Sequence, residues 1–296
     1  MNLSSFGMDT VSMTGGLATK LHAACDAGFS QIMLWATELA DHPDGMQDAV
    51  RLVRASGLRV TGLQVLRDVE GQGAPLLDFK LAMAGELLQL CQAVGAPLLL
   101  VCSNTSPHAS GAPDVLVRDL SRLATLAAPL GVKIAYEALS WGRHVNQLEQ
   151  AWDIVELSEH ANLGLVIDAF HLLARATDFN CLNDIPSQKI FLVQLSDFLL
   201  PGLDTDDDRL TTARHGRVFP GAGVHSAALA DLLLRLDHGG YRGDYSFEVA
   251  NDDYLQLPPA LVAGHAYRSA RWVIDQALRR SPDERRSNAR PGALLD

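Results

Sequence analysis

The chain alternates amphipathic stretches of helical length with short runs that are apolar almost throughout. One unit recurs: a helix-period segment, a glycine or turn residue, then a Leu-rich or β-branched run ending in a polar side chain. It is visible in AACDAGFSQIMLW, VRASGLRVTGLQ, CQAVGAPLLLVCSN, AAPLGVKIAYEA and HANLGLVIDAF. Glycine suits the end of a helix because it takes the left-handed cap without strain. Runs that are continuously apolar, instead of alternating, are those of parallel strands buried on both faces. Eight such strands are expected, near Phe6–Val11, Gln31–Trp35, Arg59–Gln64, Pro97–Cys102, Lys133–Glu137, Leu163–Asp168, Ile190–Leu195 and Asp244–Glu248. Helices over Asp78–Val94, Pro113–Leu130, Asn146–Ser158, Ser226–Gly239 and Pro259–Leu278 fill the gaps.

Eight strand–helix units in 296 residues select a closed (β/α)8 TIM barrel over an open doubly wound sheet, since such a barrel needs about 250 residues. No GxGxxG follows the first strand, which removes the usual dinucleotide-binding signal. Residues 1–278 read as one catalytic barrel domain, and the polar, Pro- and Arg-rich tail 279–296 as disordered. The stretch Phe198–Gly223 is the one long interruption, and loops of that length in a compact domain are usually lids or binding loops.

Composition narrows the function. Against 24 basic residues stand 35 acidic ones, a net charge of -11 that repels phosphodiester backbones and argues against nucleic-acid binding. Cys25, Cys91, Cys102 and Cys181 show no CxxC or Cys/His zinc spacing and read as reduced thiols of a cytoplasmic protein. The first residues, MNLSSFGMDTVSMTGG, lack the basic and apolar regions of a signal peptide. No apolar run is long enough to span a bilayer, so no membrane association is expected.

Four consecutive strands end in oxygen-bearing side chains: IAYE at Glu137, LVID at Asp168, IFLVQLSD through Gln194, and YSFE at Glu248. One acid ending a strand is as easily a helix cap. Four in succession differ, because neighbouring strands of a barrel set their ends side by side around one mouth. Three carboxylates crowded there repel one another unless a cation neutralises them. Three carboxylates with an amide oxygen form a hard, all-oxygen ligand set, which favours Mg2+ or Mn2+, with Co2+ admissible, over structural zinc. His171, three residues after Asp168, faces the same mouth and is expected to act as a general acid or base. Arg67 follows the third strand, while Arg214 and Arg217 lie in the long seventh loop. Guanidinium groups at that mouth suit an anionic substrate, an ion pair to Asp68 or Glu70 being the competing reading for Arg67. The acid run Asp206–Asp208 is expected to be a solvated loop segment. Trp35 and Trp141 either wall the pocket or pack in the core.

The order Glu, Asp-x-x-His, Gln, Glu at successive strand ends resembles the xylose-isomerase-like TIM barrel superfamily of sugar phosphate isomerases and epimerases. LQVLRDVEG, LVCSN, YEALSWGRHVN, VIDAFH, IFLVQLSD and RHGRVFPGAG together resemble bacterial 3-dehydroshikimate dehydratases, from about Thr10 to about Trp272. The resemblance implies Glu137, Asp168, Gln194 and Glu248 as metal ligands and His171, with Glu137, as catalytic groups. It implies Arg67 and Arg217 as substrate contacts and sets His144, in the matching WGRH segment, at the pocket wall. Two departures stand out: many such dehydratases carry a second, dioxygenase-like domain, and PGAGVHS has Ala222 and Ser226 where polar or acidic residues are common.

The implied reaction is metal-dependent dehydration of 3-dehydroshikimate to protocatechuate through a metal-stabilised enediolate. An isomerase or epimerase shares every step up to that enediolate, so the ligand set alone does not separate the two. A metal-dependent nuclease on the same barrel would need several histidines and a basic groove, and a binding or sensor protein would not need His171. The expected partner is a small anionic hydroxy-ketone; a homo-oligomer is left open.

Overall fold

The computed structural model of the chain describes residues 2–280. Eight parallel strands close into a barrel: β1 (Phe6–Asp9), β2 (Gln31–Trp35), β3 (Arg59–Arg67), β4 (Leu98–Cys102), β5 (Lys133–Glu137), β6 (Leu163–Asp168), β7 (Ile190–Leu195) and, after a two-stranded ribbon, β10 (Tyr245–Phe247). Closure is made between the first and last, with Phe6 opposite Tyr245 and Met8 opposite Phe247. The ribbon pairs β8 (Asp197–Phe198) antiparallel with β9 (Arg217–Val218). The α-helices among the described residues are α1 (Leu17–Ala27), α2 (Ala36–Ala40), α3 (Met46–Ala55), α4 (Ala74–Val94), α5 (Pro113–Ala127), α6 (Leu148–Leu157), α7 (Ala169–Ala174), α8 (Asp206–His215), α9 (Ser226–His238) and α10 (Pro259–Arg280).

The expected strands are all present, and the differences are instructive. Thr10–Ser12 turns into a 3-10 helix once Asp9 accepts the Val11 N–H. Glycine ends α1 and α4 in the left-handed region, at Gly28 and Gly95, as the repeated unit implies. In HANLGLVIDAF, however, Gly164 is the second residue of β6, and α6 has already ended before Ser158. The tail expected to be disordered lies, from residue 281 onward, outside the described residues, while Arg279 and Arg280 continue α10. The interruption after β7 is not a plain loop, since it contains α8 and the ribbon. Asp206, Asp207 and Asp208 are exposed as expected, but they form the first turn of α8. There Thr205 and Asp208 cap each other, and acidic side chains complement the helix dipole.

Two apolar layers form because a strand sends alternate side chains to opposite faces. On β4, Leu99 and Val101 belong to the outer layer shared with the helices. Leu98, Leu100 and Cys102 point inward with Met33, Ala135, Val166 and Leu192, and plug the barrel. Inward Gly62 on β3 makes that plug fit: a Cβ there would lie 2.5 Å from Leu98 Cδ1 and 2.9 Å from Met33 Sδ. No described helix is long and apolar enough to cross a membrane.

Gly62→Val should therefore overpack the plug and lower unfolding stability by about 1–3 kcal/mol. Urea unfolding tests this, and an unchanged midpoint would contradict the plug's role.

Candidate functional site

One step beyond the apolar plug, the same inward rows end in polar groups. Ala135 is followed at period two by Glu137, Val166 by Asp168, Leu192 by Gln194, Leu100 by Cys102 and Met33 by Trp35. The sheet register sets Asp168 opposite Gln194 and Cys102 opposite Glu137. These side chains gather at the carboxyl ends of the strands, where a cavity of about 520 Å³ opens; Asp168 and Gln194 lie buried and are not among its lining residues. Glu137, His171, Arg217, Glu248, Trp35 and Trp141 are among its walls. A larger surface hollow, about 690 Å³, lies between residues 182–187 and α9; its charged lining residues, such as Asp231 and Arg235, are partly exposed and outside this cluster.

The acids are close and buried. Ligand atoms of Glu137, Asp168 and His171 all lie within 4.8 Å of one another. Burial first, then the charges of Asp168 and Glu248, push the Glu137 carboxyl up to about 8. Asp168 and Glu248 are also raised, by burial against the pull of Arg217. Arg217 is the buried cation of the cluster: its Nη1 donates to Asp168 Oδ2 at 2.7 Å and to Glu248 Oε2 at 2.9 Å. Its Nε donates to the Ala213 carbonyl, and its guanidinium lies 4.4 Å from the Phe170 ring centre. Two nitrogens of Arg217 are thus committed to the protein, unlike the free substrate clamp that the sequence implied.

Gln194 carries the observation that bears most on a metal. Its Nε2 donates to Gln64 Oε1 at 3.3 Å, whereas its Oε1 is buried and has no hydrogen-bond partner. A buried acceptor left unpaired costs about 1–3 kcal/mol, and it stands beside three carboxylates. A hard divalent cation fits this donor set, because it satisfies the amide oxygen and the excess negative charge together.

His171 is buried with its ring edge-on to Trp141. The Ser140 N–H donates to His171 Nδ1 at 3.1 Å, which leaves the proton of the neutral ring on Nε2. That Nε2 faces Asp168 Oδ2 at 3.6 Å and Glu137 Oε1 at 3.8 Å. Burial, reinforced by Arg217 and Arg67, lowers the His171 pKa well below its usual value, so the ring is neutral and these approaches are not ion pairs.

The remaining sequence candidates divide. Arg67 and Arg214 line the cavity with exposed side chains. The competing ion pair for Arg67 does not form: Asp68 accepts from Thr105, and Glu70 accepts from the Asn104 N–H and the Tyr136 hydroxyl. Glu70 thereby ties the loop that follows Arg67 to the segment after β4 and to β5. His144 is not brought to the cavity; it donates from Nε2 to the Ala109 carbonyl at 2.8 Å and lines a separate surface groove. Ala222 and Ser226 are likewise not among the cavity-lining residues. Sequence reasoning missed Asp9, Gln64 and Cys102. Asp9 ends an inward row of β1 as the other acids do, and Cys102 Sγ lies 3.0 Å from Glu137 Oε2.

The raised Glu137 carboxyl has a stability consequence with a definite sign. Between pH 4.5, its unperturbed value, and about 8 the folded chain holds a proton that the unfolded chain releases. Unfolding free energy therefore falls as pH rises through that window. Glu70, raised to about 7, adds in the same sense. His171 acts oppositely, but its contribution is complete above its unperturbed 6.5. Thermal unfolding of chelator-treated protein should thus show a falling midpoint from pH 6.5 to 8, partly flattened in Glu137→Gln. A midpoint rising across that interval would contradict the buried, proton-holding cluster.

Over residues 21–273 the chain matches the family described as xylose isomerase-like TIM barrel. It is 40% identical over 267 residues to a 3-dehydroshikimate dehydratase of Pseudomonas aeruginosa, covering 90% of this chain and 41% of that protein. To a 3-dehydroshikimate dehydratase of Pseudomonas putida it is 35% identical, covering 97% of this chain and 44% of that one. The chain thus spans less than half the length of these relatives. A solved xylose isomerase-like TIM barrel/4-hydroxyphenylpyruvate dioxygenase fusion protein superposes with a TM-score of 0.88 at 34% identity, over 99% of this chain and 46% of that chain. The IOLI protein with a bound zinc atom shares the fold at 21% identity and a TM-score of 0.79, over 94% of this chain and 99% of that one. A closed barrel with its acids at the strand ends, matched over most of its length in sequence, settles descent: the chain belongs to the xylose isomerase-like TIM barrel family.

Proposed function

We propose that this barrel catalyses the divalent-metal-dependent dehydration of 3-dehydroshikimate to protocatechuate. The observation that carries the reading is the buried, unpartnered Gln194 Oε1 on the strand beside Asp168, below a cavity lined by Glu137, Glu248, Arg67 and Arg214. The similarity to two Pseudomonas proteins bearing that name supports the choice of substrate.

Glu137, Asp168, Gln194 and Glu248 would hold the ion. A bound divalent cation supplies charge that makes the hydrogen beside a ketone acidic. Mg2+ and Mn2+ suit the all-oxygen donors, and the zinc in the IOLI structure shows that another member of the fold family holds a divalent ion. Glu137, a cavity-wall carboxylate 3.8 Å from His171 Nε2, would take that hydrogen. His171 is neutral and carries its hydrogen on Nε2, so it would hold the departing β-hydroxyl by a hydrogen bond, and the proton taken from carbon passes to that oxygen so that it leaves as water. Loss of the carbon-bound proton and that hydroxyl removes one water, and a second proton shift completes the aromatic ring. Arg67 and Arg214 hold the ring carboxylate, with Trp35 and Trp141 excluding water from the apolar faces.

A second reading is an isomerase or epimerase on the same ligands, favoured by 28% identity over 203 residues to an inosose isomerase of Bacillus subtilis. Incubation with 3-dehydroshikimate and Mg2+, Mn2+ or Co2+, followed by ultraviolet absorbance, separates them: protocatechuate should accumulate, and its absence with all three ions would favour the isomerase. Glu248→Ala, and likewise Glu137→Ala, should abolish metal binding while leaving far-ultraviolet circular dichroism unchanged. Arg67→Met should raise KM about 10- to 100-fold, the worth of a charge-assisted hydrogen bond of about 1.5–3 kcal/mol. A KM unchanged in that variant would remove Arg67 from the substrate site.

A further inference from the structure

We propose that Gln64, itself oriented by Asp9, is a positioning residue that determines which end of the Gln194 amide faces the metal. The inference rests on the metal reading above and concerns residues to which no role has been given.

An amide side chain has one end that only accepts and one that only donates, and the two are nearly the same size. Only the oxygen can ligate a cation, so a glutamine ligand works in one of its two orientations. Shape alone does not choose between them. The choice is made by hydrogen bonds on the side away from the ion, as second-sphere partners do for other metal ligands.

Here those bonds form a chain of forced choices. Asp9 is fully buried on the inner face of β1. Its Oδ1 accepts from the Val11 N–H at 3.0 Å, and its Oδ2 accepts from Gln64 Nε2 at 2.7 Å. The same Nε2 donates to Glu248 Oε1 at 3.1 Å. Once a bound cation keeps Asp9 and Glu248 ionised, two carboxylate acceptors on one side compel Gln64 to present its NH2 there and its Oε1 on the other. Gln64 Oε1 then receives Gln194 Nε2, which leaves Gln194 Oε1 buried, unpartnered and turned away from Gln64. Gln64 thus touches two of the four ligands. With Arg217 on Glu248 Oε2, each oxygen of Glu248 has a defined donor.

The test is Mn2+ binding by titration calorimetry, alongside thermal unfolding in chelator as a check on the fold. Gln64→Met keeps the volume and the charge but removes both hydrogen-bonding ends. It should weaken Mn2+ binding about 10- to 100-fold while unfolding in chelator stays a single cooperative transition, and saturating Mn2+ should restore kcat. In the Gln194→Ala background the same change should cost much less, because the amide it orients is gone. Asp9→Asn, which exchanges one acceptor for a donor at constant size, should also weaken binding, and should add nothing once Gln64 is Met. Wild-type Mn2+ affinity in Gln64→Met, with affinity lost in Gln194→Ala, would overturn the positioning role and leave the metal site standing. Full additivity of Asp9→Asn and Gln64→Met would overturn the part assigned to Asp9. Wild-type protein that binds no Mn2+, Mg2+ or Co2+ would overturn the metal reading, and this inference with it.

Discussion

Four carboxyl groups, those of buried Asp9, Glu137 and Asp168 and half-buried Glu248, share one small region at the carboxyl end of the barrel. Most of the local architecture answers the repulsion and desolvation this creates. Charged groups removed from water are tolerated only when paired, coordinated or neutralised by protonation. Every one of the four is held towards its protonated form, burial being the largest cause in each case. Arg217 offsets part of the excess from inside the cluster, and it reaches there because the ribbon returns the chain from α8 to the barrel mouth. The long segment after β7 therefore has an electrostatic task as well as a walling one.

The floor of the site is set by the same alternation that builds the core. Apolar inward residues from β2, β4, β5, β6 and β7 fill the barrel and deny water access from below. Charges directly above such a plug act in a medium of low effective dielectric, where each is felt more strongly than at a surface. This accounts for the neutrality of His171 between two acids: loss of hydration outweighs their attraction for its proton. The Ser140 N–H then decides which nitrogen carries the remaining hydrogen, leaving it on Nε2, the nitrogen that faces the acids.

The side chains at the strand ends also separate this site from other uses of the barrel. Glutamine beside three carboxyl groups makes the available donors hard and all-oxygen, unlike a multi-histidine zinc cluster. The net charge of -11 is unfavourable for a polyanionic partner, while Arg67 and Arg214 leave a local positive rim at the cavity. The two are compatible, because field strength at a mouth depends on the nearest charges and long-range approach on the sum.

Periodicity alone determined the barrel, since continuous apolar runs of strand length separated by amphipathic helices have few other ways to bury themselves. It also determined Glu137, Asp168, Gln194 and Glu248, because the end of a parallel strand in this architecture is a fixed place. The Pro- and Gly-containing stretch Phe198–Gly223 concealed α8, whose polar sequence carries little apolar periodicity and whose start is marked only by Thr205 and Asp208. What a side chain does once it arrives depended on partners distant in sequence. His144 was drawn to Ala109 and Arg217 to Asp168 and Glu248, while Gln64 joined Asp9, Gln194 and Glu248 across residues 9 to 248. Placement follows from a local repeat and can be read along the chain. Pairing, tautomer and proton affinity follow from distances between strands and from exclusion of water, which exist only after the barrel has closed.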